Sequence, residues 1–240
     1  MKHTAALRTE QLIGRECCER LAAAHVIVVG LGGVGSYAAE ALARGGVGKL
    51  TLVDFDVVSE SNLNRQLVAL TSTIGRLKAD VMRERILDIN PEAIVHVVHL
   101  RYSAETADQL ALNTCDYIVD AIDMVPAKVE LIVQAKNSRK PVISSMGAGN
   151  KLDPSRFIVT DLFGTANCPL ARIMRKKLRK RGVETLEVVF SPETPREIDA
   201  EAVDQSEATS KKIPPGSISF VPSVAGLMMA GVVIRRIAGV

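Results

Sequence analysis

Aromatic side chains are scarce in this chain, since they make up 3% of its 240 residues and tryptophan is absent. The core must therefore be built from Val, Ile, Leu and Ala, in keeping with an apolar fraction of 47%. This composition indicates a folded, soluble globule rather than a disordered chain. The length predicts one large domain, or one domain with a small appendage.

Cysteines are also few, and no two of them form a Cys-x-x-Cys pair; they are Cys17, Cys18, Cys115 and Cys168. A structural zinc site needs two such pairs or matching histidines, so we expect none. Reduced thiols and a cytoplasmic location are the expectation for this cysteine usage.

Neither a strong charge nor a long uninterrupted apolar run is present. The net charge of +3 is compatible with an anionic partner but does not by itself indicate one. The amino end is polar as far as Val26, so we expect no signal peptide. The apolar run at 218–240 is broken by a proline, by serines and by Arg235-Arg236, so we expect no membrane span.

The most informative segment is a β-branched apolar run that leads into a glycine-rich turn, Val26-Ile-Val-Val-Gly-Leu-Gly-Gly-Val-Gly-Ser36. Such a turn places backbone N–H groups and a helix N-terminus beside a phosphate. Close packing of helix on strand is the alternative reading of its glycines, Gly30, Gly32, Gly33 and Gly35. Asp54 ends the next predicted strand, where it can accept the ribose hydroxyls, and Asp56 has a supporting role.

A polar cluster, Ser61-Asn-Leu-Asn-Arg-Gln66, follows this acid and exceeds what a dinucleotide site needs. It suits a nucleotide whose phosphate chain is bound, neutralised and cleaved. Arg65 offers a bidentate guanidinium for the charge on the phosphates. Asn62 and Gln66 are candidates for hydrogen bonds to phosphate, although capping of the loop explains them too.

Strands and helices alternate along the sequence. We predict strands at 26–29, 50–53, 95–100, 117–119, 142–144 and 157–160, and helices at 8–24, 33–44, 78–89, 127–137 and 170–181. This order predicts an α/β fold with a Rossmann-like, doubly wound, mostly parallel sheet and a ligand at its carboxyl edge. The half beyond residue 150 is less regular, and 191–215 reads as a long surface loop.

Taken together, the glycine turn, the segment from Asp54 to Gln66, Lys78 and Asp120-Ala-Ile-Asp123 resemble the HesA/MoeB/ThiF family, bacterial relatives of ubiquitin-activating enzymes. The resemblance covers nearly the whole chain. It implies one ThiF-type adenylation domain over 1–240, in which Mg-ATP activates a carboxylate. Residues 1–150 would form the nucleotide-binding half, and 151–240 the half that faces the substrate and the dimer partner.

The same resemblance implies roles for individual residues. Lys78 joins Arg65 as a cation on the leaving phosphates, Asp123 is the magnesium ligand, and Asp120 supports the turn. Arg8 would reach the triphosphate bound by the neighbouring subunit of a homodimer, with Arg15 as the alternative. Some relatives use a cysteine near Cys168 for sulfur or thioester chemistry, but we expect a structural cysteine here.

The second half, from Cys168-Pro-Leu-Ala-Arg onward and at Pro215-Gly-Ser-Ile-Ser-Phe-Val-Pro-Ser, is similar to the branch of tRNA threonylcarbamoyladenosine dehydratases. If the substrate is a tRNA, a predicted basic helix face becomes a candidate contact for the phosphate backbone, although such a face is usually only solvated. Its cations are Arg172, Arg175, Lys176 and Arg179. The predicted apolar face opposite consists of Leu170, Ile173, Met174 and Leu178.

Two other functions remain open from the sequence. One is adenylation of the carboxy-terminal glycine of a ubiquitin-like sulfur carrier, which would bring a sulfur-relay partner. The short length and the lack of zinc-spaced cysteines count against it. The other is a nucleotide-binding regulator, or an NAD(P)-binding protein with an idle motif. The combination of Arg65, Lys78 and Asp123 counts against that function.

Overall fold

The computed structural model describes residues 3–199 and 215–240. At its centre lies a seven-stranded sheet in the order β3-β2-β1-β4-β5-β7-β6. Its strands are β1 His25–Val29, β2 Lys49–Val53, β3 Ile94–Val98, β4 Tyr117–Asp120, β5 Val142–Ser145, β6 Ile158–Asp161 and β7 Glu187–Phe190. All neighbours are parallel except β6 and β7. The predicted α/β fold with a mostly parallel sheet is confirmed.

Helices cover both faces of this sheet: α1 His3–Ile13, α2 Arg15–Ala23, α3 Gly35–Arg44, α4 Lys78–Ile89, α5 Val125–Asn137, α6 Pro169–Arg179 and α7 Phe220–Ala238. Val26 and Val28 of β1 belong to the core under α2, α3, α4 and α7. Ile27 and Val29 belong to the core under α5 and α6. Because both faces are buried, β1 is a continuous apolar run rather than an alternating one.

Three elements differ from the sequence prediction. The single helix expected over 8–24 is wrong, because Gly14 adopts φ +84° and separates α1 from α2. Strand β7 was not predicted, since its four residues follow a short irregular segment. Helix α7 was not predicted, because a proline and serines interrupt the apolar run at 218–240. Pro222 lies in the first turn of α7, where a proline does not break the helix.

Helix α7 is long and apolar enough to cross a membrane by length and composition, yet half of its apolar window is buried within the protein. It packs closely on α3, and a Cβ placed on Gly226 would lie 2.2 Å from the carbonyl oxygen of Val34. Glycine is therefore required where the two helices touch. This packing is that of a helix in the protein core; the expectation that 218–240 does not span a membrane stays a prediction.

The sheet order reverses at β1, which lies between β2 and β4. Ligands of doubly wound sheets bind at such a switch point, outside the carboxyl ends of the strands. The predicted loop at 191–215 ends beside this edge, with Pro195 and Pro215 near it. Residues 200–214 of that prediction lie outside the described residues, and the described parts carry no helix or strand between β7 and α7.

Candidate functional site

A cleft of about 770 Å³ opens at the carboxyl edge of the sheet. It brings together nine of the predicted site residues: Gly30, Gly32, Gly33, Asp54, Asp56, Arg65, Gln66, Lys78 and Asp123. Gly35, Asn62 and Arg8 do not line it. A second cleft of about 980 Å³ lies at the opposite edge, where its lining includes Tyr117 and Val142 at the starts of their strands. The glycine turn lies only at the carboxyl edge, so we place the functional site there.

The glycines of the turn have two different roles: some allow close packing of the backbone, and others leave space for a ligand. Gly30 adopts φ +89°, and a Cβ on it would lie 2.8 Å from the carbonyl oxygen of Ala121. A Cβ on Gly35 would lie 1.7 Å from the carbonyl oxygen of Gly30. Gly32 has room, since its nearest neighbour would be Gln66 Nε2 at 3.8 Å. The tight packing of Gly30 and Gly35 leaves the turn and the start of α3 open to a phosphate.

Asp54 is buried and fixes the glycine turn. Its carboxylate accepts the backbone N–H of Leu31 at 2.6 Å and that of Asp56 at 2.8 Å. Burial raises the pKa of Asp54, and the two hydrogen bonds oppose that rise. A carboxylate has about four acceptor positions. Two are filled by the backbone, so the others can accept ribose hydroxyls.

Lys78 lies at the start of α4 with its ammonium held inside the cleft. Nζ contacts Asp56 Oδ2 at 3.0 Å, and the backbone N–H of Lys78 donates to the carbonyl oxygen of Asp56 at 3.0 Å. The Lys78 side chain is 7% exposed and that of Asp56 48%. Asp56 therefore positions the lysine, and its supporting role in nucleotide binding stays a prediction.

Arg65 and Gln66 both have polar groups that could form further hydrogen bonds or ion pairs. The Arg65 guanidinium donates to the carbonyl oxygen of Ser61 at 2.7 Å and to Asn64 Oδ1 at 2.8 Å, and no carboxylate of the described residues pairs with it. Gln66 Oε1 is buried without a hydrogen-bond partner there. A buried unpaired acceptor is costly, so both side chains favour a ligand in the cleft.

Asn62 is placed differently from its neighbours in the motif. It is buried, and its Oδ1 accepts the backbone N–H of Ser59 at 3.3 Å, which closes the short 3-10 turn Glu60–Asn62. The alternative reading from sequence, a loop cap, therefore describes its bond in this structure. A contact between Asn62 and phosphate stays a prediction.

The two acids after β4 have opposite environments. Asp120 is fully buried and accepts from Ser144 Oγ at 2.6 Å and from the backbone N–H of Ile122 at 3.2 Å, so it supports the turn as predicted. Lys128 Nζ lies 2.9 Å from its Oδ2. Removing one member of such a buried pair costs about 3–5 kcal/mol. Asp123 is exposed in the cleft and has no hydrogen bond or ion pair to any described residue.

The cleft residues missed from the sequence include Phe55, Arg101 and Tyr102. The Arg101 guanidinium carbon lies 5.5 Å from the centre of the Phe55 ring. The hydroxyl of Tyr102 is buried and unpaired within the described structure. Flat faces beside a free hydroxyl suit a purine base. They lie within four residues of the ends of β2 and β3, at the edge of the sheet where ligands bind, and this position could have identified them from the sequence.

The basic face of α6 needs two corrections. Arg175 is half-buried and donates to the carbonyl oxygen of Thr165 at 2.9 Å and to its hydroxyl, so it is held within the chain. Ile173, assigned to the apolar face, is 41% exposed. The Arg179 guanidinium lies 5.0 Å from the centre of the Phe163 ring. Exposed cations without a described partner are Arg172, Lys176, Lys177 and Lys180.

Comparison with known proteins shows the family. The model of the ThiF family matches residues 5–240. The chain belongs to the ThiF family. A Bacillus subtilis protein named tRNA threonylcarbamoyladenosine dehydratase is 47% identical over 233 residues, which span 95% of this chain and 92% of that protein.

Solved structures agree with this membership. Two crystal structures of the E. coli tRNA N6-threonylcarbamoyladenosine dehydratase are similar to this ThiF-family chain, one in complex with AMP and one with ATP. Their TM-scores are 0.89 and 0.87, each at 33% identity, and each match covers 99% of this chain and 95% of the other. The resemblance read from the motifs is therefore confirmed.

Cysteines of this ThiF-family chain are all free thiols. Cys168 lines the cleft but is buried, and its sulfur accepts the backbone N–H of Ala171 at 3.5 Å as the cap of α6. This environment is that of a structural cysteine. No group of three His, Cys, Asp or Glu side chains in the described residues is placed to hold a metal. The expectation of no structural zinc stays a prediction.

Two arginines near the amino end of this ThiF-family chain, Arg8 on α1 and Arg15 on α2, are the candidates to act between subunits. Arg8 is exposed and has no described bonding partner. Arg15, at the start of α2, pairs with Glu19 at 3.0 Å on an exposed surface. Leu7 and Leu12 of α1 are 43% and 84% exposed. A helix with exposed leucines and an unpaired arginine is suited to contact with a second protein surface.

Proposed function

We propose that this chain is a tRNA threonylcarbamoyladenosine dehydratase that uses ATP and Mg²⁺ and acts in the cytoplasm as a homodimer. The observation that carries the proposal is the convergence of Asp54, Arg65, Lys78 and Asp123 around the glycine turn. A chain so similar to named dehydratases over most of its length supports the substrate. A threonyl carboxylate would attack the α-phosphate of ATP, with pyrophosphate as the leaving group.

The cleft supplies position and charge rather than a nucleophile. Asp54 would hold the ribose, and the glycine turn with the start of α3 would hold the phosphates. Arg65 and Lys78 would neutralise the charge that develops as pyrophosphate leaves. A neighbouring carbamoyl group then closes on the activated carbonyl and releases AMP. The reacting groups share one side chain, so orientation can supply much of the rate.

Asp123 fits a magnesium site at this edge. Mg²⁺ is usually held by one or two carboxylates together with the phosphates of the substrate. Asp123 is an exposed carboxylate with no described partner, in the same cleft as the glycine turn. When bound, the ion would neutralise phosphate charge during adenylation.

The position of α1 supports catalysis between subunits. Arg8 does not line the cleft of its own chain. A guanidinium supplied by a partner subunit is a known way to complete a phosphate site. In the proposed dimer, Arg8 of each protomer would reach the ATP of the other.

Substrate dependence tests the function directly. AMP formation from ATP by the purified chain should require Mg²⁺ and tRNA that carries threonylcarbamoyladenosine. Nucleoside mass spectrometry should then find a product lighter by one water molecule. Unmodified tRNA is the matched control. If a ubiquitin-like sulfur carrier stimulated AMP formation and modified tRNA did not, the sulfur-carrier function would replace this one.

Exposed cations of α6, together with Lys180 directly after it, are proposed to contact tRNA phosphates. Changing Arg172, Lys176, Lys177 and Lys180 to Gln should weaken tRNA binding and reduce the steepness of log affinity against log salt by about 3.6, because each of the four lost phosphate contacts removes about 0.9. Filter binding across a salt series measures both. A variant with Arg83, Lys136 and Arg139 changed to Gln serves as the control outside α6. Equal slopes for the α6 variant and the wild type would remove this helix as the contact.

A further inference from the structure

Lys151 is a buried amine at the end of the cleft away from the ribose acid. Its side chain lines the cleft and the residue is 4% exposed. Nζ donates to the carbonyl oxygens of Ser191 at 3.1 Å and of Glu193 at 2.6 Å. Lys78 and Lys128 each have a carboxylate oxygen within 3.0 Å, whereas no described carboxylate forms an ion pair with Lys151.

Its bonding suits an amine that gains and loses a proton. A neutral amine has two N–H groups and one lone pair, and an ammonium has three N–H groups. The carbonyl oxygens of Ser191 and Glu193 take two donors in either form. No described residue fills the remaining position. It therefore holds a lone pair in one protonation state and an N–H in the other.

Charged groups around Lys151 oppose one another. Burial lowers its pKa, and the positive charge of Arg156 acts in the same direction. The Cys168 thiol and the Glu193 carboxylate act in the opposite direction. That carboxylate already accepts the backbone N–H groups of Leu152 and Asp153 at 2.9 and 3.1 Å. The net pKa of Lys151 is lower than usual for lysine, which makes the neutral amine accessible.

The sheet order places this amine on the substrate side. Asp54 and Tyr102 follow β2 and β3, on one side of the glycine turn after β1. Lys151 follows β5, and its two carbonyl acceptors follow β7, on the other side. A nucleotide whose ribose is held at Asp54 and whose phosphates lie at the turn leaves the β5–β7 end for the acyl group.

We propose that Lys151 is the proton acceptor of the ring-closing half-reaction, an inference that rests on the proposed function. The carbamoyl group bonds to the carbonyl carbon of the acyl-adenylate, and the bond from that carbon to the AMP oxygen breaks. AMP leaves with the electron pair, and the proton lost from the carbamoyl nitrogen passes to Nζ of Lys151. Solvent then takes that proton, and no oxidant or reductant is needed.

Lys151→Arg separates the two half-reactions. Its guanidinium can still donate to both carbonyl oxygens but cannot act as a base near neutral pH. ATP–pyrophosphate exchange with modified tRNA, which reports adenylation, should stay within about threefold of wild type. Single-turnover formation of the cyclic nucleoside should slow by about 100-fold, the lower end of the range for general-base catalysis. Lys136→Arg makes the same exchange on the exposed face of α5 and should change neither rate.

The wild-type pH profile is an independent measurement if the variant is unstable in a thermal melt. A base works when deprotonated, so ring closure should rise with pH and level off below the usual pKa of lysine, near 10.4. That rise should be missing in Lys151→Arg. If the rate of ring closure by the wild-type protein does not rise with pH in this way, the proposal is overturned. So does an equal fall in both half-reactions of the variant, which would show a structural role, or an unchanged ring closure.

Failure of the proposed function has a different result. Wild-type chain that forms no AMP with modified tRNA would overturn both the function and the role of Lys151. Wild-type activity together with normal ring closure in Lys151→Arg would overturn the role of Lys151 alone.

Discussion

Asp123→Asn should lower ATP–pyrophosphate exchange by about 10³-fold, because the amide removes the negative charge that would hold Mg²⁺ beside the phosphates. A metal ion contributes several kcal/mol of charge stabilisation to such a transition state, and each 1.36 kcal/mol is worth a factor of ten. The fold should be unaffected, since Asp123 is exposed and bonds to no described residue. Exchange of labelled pyrophosphate into ATP, with modified tRNA present, measures the effect.

Asp108→Asn is the matched control, because Asp108 is also exposed but lies outside the cleft. It should exchange pyrophosphate at the wild-type rate. ATP affinity without Mg²⁺ should be similar in Asp123→Asn and wild type by isothermal titration. An Asp123→Asn protein that kept wild-type exchange at limiting Mg²⁺ would contradict the assignment of Asp123 as the metal ligand.

Much of the nucleotide side could be predicted from sequence because its determinants are local. The strand that ends at Val29, the glycine turn and Asp54 are adjacent to elements whose periodicity is plain, and the cleft contains them. A parallel sheet brings the ends of such strands to one edge. Residues that follow successive parallel strands in the sequence therefore lie close together in the structure.

Residues that depend on distant partners could not be predicted. Lys128 reads as an ordinary solvated helix lysine until Asp120 and Ser144 are seen to meet at the buried end of β4. Lys151 acquires its two acceptors from a segment about forty positions further along the chain. No pattern within one element encodes such pairs, because tertiary packing creates them.

The basic helix illustrates an intermediate case. Helical spacing placed Arg175 with Arg172 and Lys176, and that angular grouping is correct as geometry. Arg175 nevertheless lies at the boundary of the buried face, where Thr165 accepts its hydrogen bonds. A helical wheel gives relative angles, but the direction of the core sets which cations stay free, and that direction depends on the rest of the fold.

Arg8→Ala should lower dehydration by about 10³-fold, as removal of an arginine finger does elsewhere, while ATP binding to its own cleft persists. Leu7 and Leu12 are unchanged in this variant, so α1 keeps the apolar side chains available to a partner. Arg15→Ala tests the alternative finger. Because the Arg15 guanidinium forms an ion pair with Glu19 on the surface, Arg15→Ala should have little effect on the rate. Rates of cyclic nucleoside formation measure all three proteins.

Mixing Arg8→Ala with Asp123→Asn should restore activity that neither homodimer has. In a two-fold dimer each site would combine Asp123 of one protomer with Arg8 of the other, so a heterodimer rebuilds one intact site and leaves one with both changes. Random exchange makes half of the dimers heterodimers, so the mixture should regain about a quarter of wild-type activity. Native mass spectrometry counts the heterodimers. If they form and activity stays absent, Arg8 does not serve the partner's site; if only monomers are found, the proposed homodimer falls as well.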